Sequence, residues 1–384
     1  VKLIHTSDLH IGKVINEFSM LKDQEYALKQ IARIAKEEKA DGLIIAGDVY
    51  DRNIPPSEAV AIFDQFVSEL IKEGIPILLI SGNHDSPERL SFASSILEKK
   101  NFYIAGVFDG TVKCASFHDE YGEINIYLVP YLKPPVVKHI LEKEEMVSYE
   151  DSVRAILNTI DLNKSKRNLL VTHYFVTNLG EEPELSDSET RISVGGTDNI
   201  DVSLFDGFDY VALGHIHGPQ KIGRDTVRYA GSPLKYSFSE VFHKKSVTVI
   251  ELKEKGNVEL RTREIKPLHD LRKVKGKLEE LMSKEVYSMA DTGDYLQVTL
   301  TNQEELIDPI GTLRSVYPNV MQLILEKNIK KNDMITTKTE HIKNKSTLEI
   351  YREFYESVTE QEFDEERKAV MTSLIDDIEG GGLL

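Results

Sequence analysis

The first 130 residues alternate short, unbroken apolar runs with amphipathic stretches of helical period. The runs "VKLIHTSD" (1–8), "DGLIIAGD" (41–48) and "IPILLISGN" (75–83) read as buried strands. Between the first two, Ala27, Leu28, Ile31, Ile34 and Ala35 recur at three- and four-residue spacing, which predicts a helix over 23–40. Residues 57–73 predict a second helix, with Ser57 as its N-cap after two prolines. Strand–helix–strand alternation implies parallel pairing through helical crossovers. From about Tyr121 strands dominate: "INIYLVPY", "NLLVTHYF", "YVALGHI", "VRYAGS" and "KSVTVIEL". The expected fold class is therefore α/β, two packed sheets flanked by helices.

The rhythm changes near residue 266. Residues 269–327 predict helix, strand ("DYLQVTLT"), helix ("EELIDPIGTL") and strand ("VMQLILE"), a small α/β unit. A lysine-rich polar stretch follows. The last 40 or so residues predict a helical pair, one helix striped by Leu348, Tyr351, Phe354, Tyr355 and Val358, the other by Phe363, Val370, Leu374 and Ile378, with Thr359 and Glu362 as a capping box between them. The domains expected are a main body (1–265), a small capping domain (266–327), a linker (328–345) and a helical tail (346–384). No repeat or low-complexity segment interrupts this plan.

Composition narrows the function classes. At 384 residues the chain exceeds what one core usually serves. No apolar run approaches the roughly 20 residues of a membrane helix, and the start carries no signal-peptide pattern. A single cysteine, Cys114, excludes an internal disulfide and a thiolate metal cluster. A cytoplasmic protein without a membrane role is expected. The net charge of −17 argues against a simple nucleic-acid-binding module, which would be basic. Any polyanion must be met by a local patch, by metal ions or by a partner.

Polar residues gather where the apolar runs end. Asp8 and His10 follow the first strand, Asp48 the second, and Asn83 and His84 the third; His173 ends "LVTHYF", while His215 and His217 sit in "ALGHIHG". Open α/β sheets place ligands beyond the carboxyl ends of their strands, so these segments are expected to converge. Two aspartates, one amide and four histidines besides His84 form a nitrogen–oxygen set suited to Mn, Fe or Zn. Seven donors exceed one tetrahedral site but suit two ions sharing a carboxylate, an arrangement that stabilises both attacking and leaving oxygens in phosphoryl transfer. His5, His118, His139, His243, His269 and His341 lack such a setting, and surface or packing roles are expected for them.

The ordered set D-x-H, G-D-x-x-D, G-N-H-D, H and G-H-x-H resembles the calcineurin-like metallophosphoesterase superfamily over about residues 1–265. Within it, "HTSDLHIGK", "GDVYDRNIPPSEA", "GNHDSPERL" and "GSPLKYSFSE" resemble the SbcD nuclease family, and the likeness extends to that family's capping domain and partner-binding region. The resemblance implies one ion on Asp8, His10, Asp48 and His217, and a second on Asp48, Asn83, His173 and His215, with manganese the expected metal. It implies that His84 faces the scissile phosphate as a general acid or charge stabiliser. Asp51 stands where relatives commonly carry histidine; it either orients His84 or lines a solvated loop. Asp85 either supports the ligands or caps its turn. The resemblance further implies an SbcC coiled-coil ATPase as partner, two nuclease chains per complex, ATP-dependent exonuclease action on double-stranded DNA ends, and endonuclease cutting of single strands and hairpins. No P-loop is present, so ATP would bind the partner. Two other readings compete: a related hydrolase acting on a small phosphodiester or phosphoprotein, and an inactive DNA-tethering scaffold. The capping unit and tail argue against the first, the intact ligand set against the second.

Overall fold

The computed structural model describes residues 1–143, 146–189, 198–326, 348, 351–352, 355–356, 363–364 and 367–372. In chain order its principal elements are β1 (Lys2–Thr6), α1 (Leu21–Glu37), β2 (Gly42–Ala46), α2 (Ser57–Lys72), β3 (Ile77–Ile80), β4 (Phe102–Ala105), β5 (Lys113–Asp119), β6 (Gly122–Leu128), α3 (Tyr149–Leu157), β7 (Arg167–His173), β8 (Tyr210–Gly214), β9 (Gln220–Ile222), β10 (Arg224–Tyr229), β11 (Ser246–Leu252) and β12 (Val258–Glu264). Beyond them lie β13 (Leu271–Gly276), β14 (Tyr295–Leu300), α4 (Pro309–Arg314) and β15 (Val320–Leu325).

Two six-stranded sheets form the body, in the orders β12-β11-β1-β2-β3-β4 and β9-β10-β8-β7-β6-β5. Strands β1 to β4 run parallel, as do β6, β7, β8 and β10; the antiparallel strands stand at the sheet margins. The period-two alternation of each central strand explains the layering. In β2, Ile44 and Ala46 enter the layer between the sheets, whereas Leu43 and Ile45 face the helices. In β8, Tyr210 and Ala212 point into the same middle layer, and Val211 and Leu213 point outward. Helices α1 and α2 cover the first sheet with Ile31, Ile34, Phe63, Phe66 and Leu70; α3 covers the second with Val153 and Ile156. The expected sandwich is present.

Three local expectations are corrected. Ser57 is the first helical residue, not the cap: Pro56 holds the cap position in extended backbone, without a side-chain cap. Residues 271–276 are a strand rather than a helix, paired in parallel with β14. Leu271, Val274, Leu278 and Leu281 mimic helical spacing, yet helix is limited to two short turns, Leu278–Leu281 and Lys284–Tyr287. The helix expected over "EELIDPIGTL" is confined to α4, which Asp308 caps by accepting from the Gly311 amide. The unit's three-stranded sheet has its own core of Leu296, Val298, Leu300, Leu313 and Val320, while Leu271, Tyr295 and Met321 join the core of the main body. Buried Asp23 of α1 fastens the two, accepting from the His269 amide (3.0 Å) and the Tyr295 hydroxyl (2.8 Å).

The linker over 328–345 lies outside the described residues, as do Phe354, Val358, Thr359, Glu362, Leu374 and Ile378 of the tail. Within the tail, Phe363 packs against the rings of Tyr351 and Tyr355.

Candidate metal centre

Each candidate residue leaves a strand at its carboxyl end, and the exits are tied to one another by main-chain bonds. The amides of Asp8, His10 and Ile11 donate to the carbonyls of Gly47, Asp48 and Val49 at 2.9–3.1 Å, so the loops after β1 and β2 travel together. His173 ends β7 and is paired with Gly214, the last residue of β8. The approach is close enough to require glycine: a Cβ on Gly47 would stand 2.4 Å from His173 Nδ1, and one on Gly214 would stand 1.9 Å from the Ala46 carbonyl.

Four of the seven candidate ligands have left-handed backbone: Asp8 (φ 54), His10 (φ 44), Asp48 (φ 51) and His215 (φ 106). Such conformations cost roughly 1–3 kcal/mol each outside glycine and persist where the surroundings enforce them, commonly at functional sites. Strain concentrated on these residues marks the cluster as built for something besides stability.

The donors converge around Asp48. Its Oδ2 lies 3.6 Å from His10 Nε2 and 3.3 Å from His173 Nε2. On one side, His10 Nε2 and His217 Nε2 face each other at 3.1 Å, and an oxygen of Asp8 lies within 4.8 Å of both rings' nitrogens. On the other, Asn83 Oδ1 lies 3.1 Å from both His173 Nε2 and His215 Nδ1. All seven are thereby brought together. Asp8, His10, Asp48, His173, His215 and His217 are buried.

The donors fit divalent cations. Two ring nitrogens aimed at each other need a proton or a cation between them, and His10 Nδ1 is buried with no hydrogen-bond partner. Burial, and then its neighbour His173, lower the pKa of His215 to about 3; burial likewise holds His10 well below the ordinary imidazole value. Both rings are thus neutral and have lone pairs to offer, as ligation requires. Burial alone would depress His173 too, but the Asp48 carboxylate beside it raises it to about 9. Its Nδ1 donates to the Ala46 carbonyl at 2.7 Å, so Nε2 is the atom presented to the cluster.

Asp85 does not reach the cluster. It accepts from the amides of Val49, Tyr50 and Gly82 at 2.9–3.1 Å, binding the exits of β2 and β3 together; burial and Asp48 raise it to about 6. His84 is half-buried, with its amide donating to Asp48 Oδ1 (2.9 Å). A nitrogen of its ring lies within 4.8 Å of both Asp48 and His10. The bond expected between His84 and Asp51 exists, but Nδ1 meets the Asp51 main-chain carbonyl (3.0 Å), not the carboxylate. The reason is competition: the carboxylate is taken by Lys13 Nζ at 2.7 Å and turned toward His10 Nδ1, 3.6 Å away.

Sequence reasoning missed the residues behind His217. Ser188, Glu189, Glu240 and Lys245 surround it; Glu240 closes the motif "GSPLKYSFSE", the one signal available. Of the remaining histidines, His5 is buried against the Tyr210 hydroxyl (3.0 Å), His269 pairs with Asp23, and His118 is exposed. His341 lies outside the described residues.

Comparison with known proteins gives the family. Residues 1–219 match the calcineurin-like phosphoesterase family, and residues 267–359 match a family described as the type 5 capsule protein repressor C-terminal domain. The chain is 30% identical over 366 residues to the SbcD subunit of the nuclease SbcCD from Staphylococcus epidermidis, covering 94% of each chain. Solved structures with a partial likeness include a Thermus thermophilus protein (TM-score 0.40, 16% identity, 69% of this chain and 99% of that one) and a dimetal phosphatase from Danio rerio (TM-score 0.41, 12% identity, 68% and 96%).

Proposed function

The chain belongs to the calcineurin-like phosphoesterases and, within them, to the SbcD nucleases, and on that footing we propose that it is the DNA-hydrolysing subunit of an SbcC–SbcD complex. The reading is ATP-dependent exonuclease action on double-stranded ends with the SbcC ATPase, and endonuclease cutting of single strands and hairpins. It belongs to cytoplasmic DNA repair, recombination and replication; no helix among the described residues is long and apolar enough to cross a membrane.

What supports the catalytic reading is one observation: six nitrogen and oxygen donors gather around a seventh, the central carboxylate of Asp48. Asp8, His10, Asp48 and His217 would hold one ion, and Asp48, Asn83, His173 and His215 the second; the donor set suits Mn, Fe or Zn, and the family resemblance favours Mn2+. Two such ions, when bound, supply Lewis acidity at the attacking and leaving oxygens. The protein's own contribution lies in His84. Its Nδ1–H is committed to the Asp51 carbonyl, so the proton to be delivered to the leaving oxygen is carried on Nε2.

The same reading gives 1–265 the nuclease role, 266–327 the capping role, 328–345 that of a linker and 346–384 the binding of SbcC. A homodimer within a heterotetramer belongs to the same reading; Phe63 and Val67 are buried in the core of the chain, and the exposed apolar side chains nearby are Val60 and Phe92. The test is cleavage of hairpin, single-stranded and linear double-stranded DNA with added manganese, with and without the ATPase and ATP. Activity toward a small phosphodiester with none toward DNA would replace this function by the related-hydrolase reading. No cleavage of any substrate would favour the scaffold.

A further inference from the structure

We propose that Ser188, Glu240 and Lys245 form a buried relay that fixes the tautomer of His217 and sets its strength as a metal ligand. The inference rests on the two-metal reading of the site. Ser188 Oγ lies 2.7 Å from His217 Nδ1 and 2.5 Å from Glu240 Oε1. A carboxylate only accepts, so the single Ser188 proton goes to Glu240, and the Ser188 oxygen accepts from His217 Nδ1–H. The His217 lone pair is thereby placed on Nε2, the atom facing His10 Nε2 at 3.1 Å.

The other end of the relay is anchored as firmly. Lys245 Nζ donates to Glu240 Oε2 (2.5 Å), to Ser232 Oγ (2.9 Å) and to the main-chain carbonyl of His217 itself (2.9 Å). Glu189 accepts from the His217 amide. His217 is therefore held at its amide, its carbonyl and its ring by three different side chains. Glu240 and Lys245 are both buried, and a buried ion pair is weak as a stabilising device because desolvation offsets its attraction. A ligand-positioning role accounts for its place.

The contrast with His173 gives the relay its function. His173 Nδ1 donates to a neutral carbonyl, that of Ala46, whereas His217 Nδ1 reaches an anion through a hydroxyl. Negative charge behind an imidazole raises the basicity of its far nitrogen, and removing such a partner typically weakens metal affinity by about 10–100-fold. The ion on Asp8, His10, Asp48 and His217 is the one affected.

The experiment is calorimetric titration of the metal-free full chain with Mn2+, alongside metal-free thermal melting, for wild type, Ser188→Ala, Ser188→Thr and Glu240→Gln. The expected result is two ions in wild type, one of them bound about 10–100-fold more weakly in Ser188→Ala, with the other ion and the metal-free melt unchanged. Ser188→Thr, which keeps the hydroxyl, restores the lost affinity. Glu240→Gln weakens the same ion even if Lys245, left without its counter-charge, lowers the melt. Wild-type affinity for both ions in Ser188→Ala overturns the relay alone. Weakening that appears with a lowered metal-free melt and without rescue by threonine reduces Ser188 to packing and overturns it too. A wild-type chain that binds fewer than two ions overturns the two-metal reading and the relay with it.

Discussion

Gly82→Ala is the smallest change that tests whether Asp48 is the centre of the site. A Cβ built on Gly82 stands 2.1 Å from Asp48 Oδ1, 2.4 Å from the Asp48 amide nitrogen and 2.7 Å from Asp48 Cγ. Ordinary contact needs about an ångström more, and neither partner has room to retreat. The Asp48 backbone is committed through its carbonyl to the His10 amide, and Oδ1 is held by the His84 amide. The carboxylate must therefore turn, carrying Oδ2 away from His10 and His173. A displacement near 1 Å costs on the order of 100-fold in rate where geometry decides catalysis, and the overpacking costs about 1–3 kcal/mol of stability. Gly74→Ala is the control: its φ is +74 but nothing lies within 4 Å of the added carbon, so it carries backbone strain alone. The assay is turnover on hairpin DNA with manganese, metal content after dialysis, and melting temperature for both variants. Gly82→Ala is expected to lose turnover and metal together, Gly74→Ala only some melting temperature. Turnover and metal content within twofold of wild type in a folded Gly82→Ala would refute the central role of Asp48.

Four other outcomes are expected. His84→Ala keeps both ions and loses about 10²–10⁴ in turnover, whereas Asp51→Ala, which leaves the accepting carbonyl in place, loses less than about tenfold; equal losses would return the orienting role to the carboxylate. Asp48→Asn abolishes cleavage and lowers metal content, and near-normal activity at saturating manganese would sink the two-ion scheme. Glu38 is held down to about 2 by Arg261 and Arg263; since its folded pKa lies below its unfolded value, its stabilisation is full above about pH 4.5 and fades as pH falls toward 2. Glu38→Gln should thus melt lower than wild type at pH 7, the gap narrowing in acid, and a gap that widens there reverses the sign. Truncation after Lys345 leaves a metal-loaded enzyme that still cuts single-stranded DNA but no longer co-purifies with the ATPase; aggregation or lost intrinsic cleavage would assign the tail to the catalytic body.

How much of this was legible follows from what each feature depends on. Strands β1, β2, β3, β7 and β8 were readable because apolar runs closed by polar residues have few other solutions in an α/β sandwich, and the candidate ligands came with them. Strand β13 was not: its Leu271 and Val274 are spaced as on a helix, and only pairing with β14, remote in sequence, decides the matter. The groups behind the ligands were hidden for a different reason. His173 and His84 donate to the carbonyls of Ala46 and Asp51, main-chain atoms that any residue type supplies. Ser188 and Glu189 come from an irregular segment with no periodicity to announce them.

Asp51 shows how the same sequence letter acquires a different meaning once the backbone is known. Its main chain serves His84, and that service survives any substitution short of a backbone change. Its carboxylate points elsewhere, to Lys13 and toward His10 Nδ1, a buried ring nitrogen without a hydrogen-bond partner. At 3.6 Å this is proximity rather than a hydrogen bond; it places a carboxylate behind His10 as Glu240 stands behind His217, though Lys13 shares the Asp51 charge as Lys245 shares that of Glu240. The two rings whose Nε2 atoms meet at 3.1 Å are thus backed by carboxylates on their far sides. A cation between those rings would have a carboxylate behind each of its ligands, tempered in each case by a lysine (Lys13 and Lys245), so part of the acidic character that argues against general DNA affinity would serve locally to favour a metal ion there.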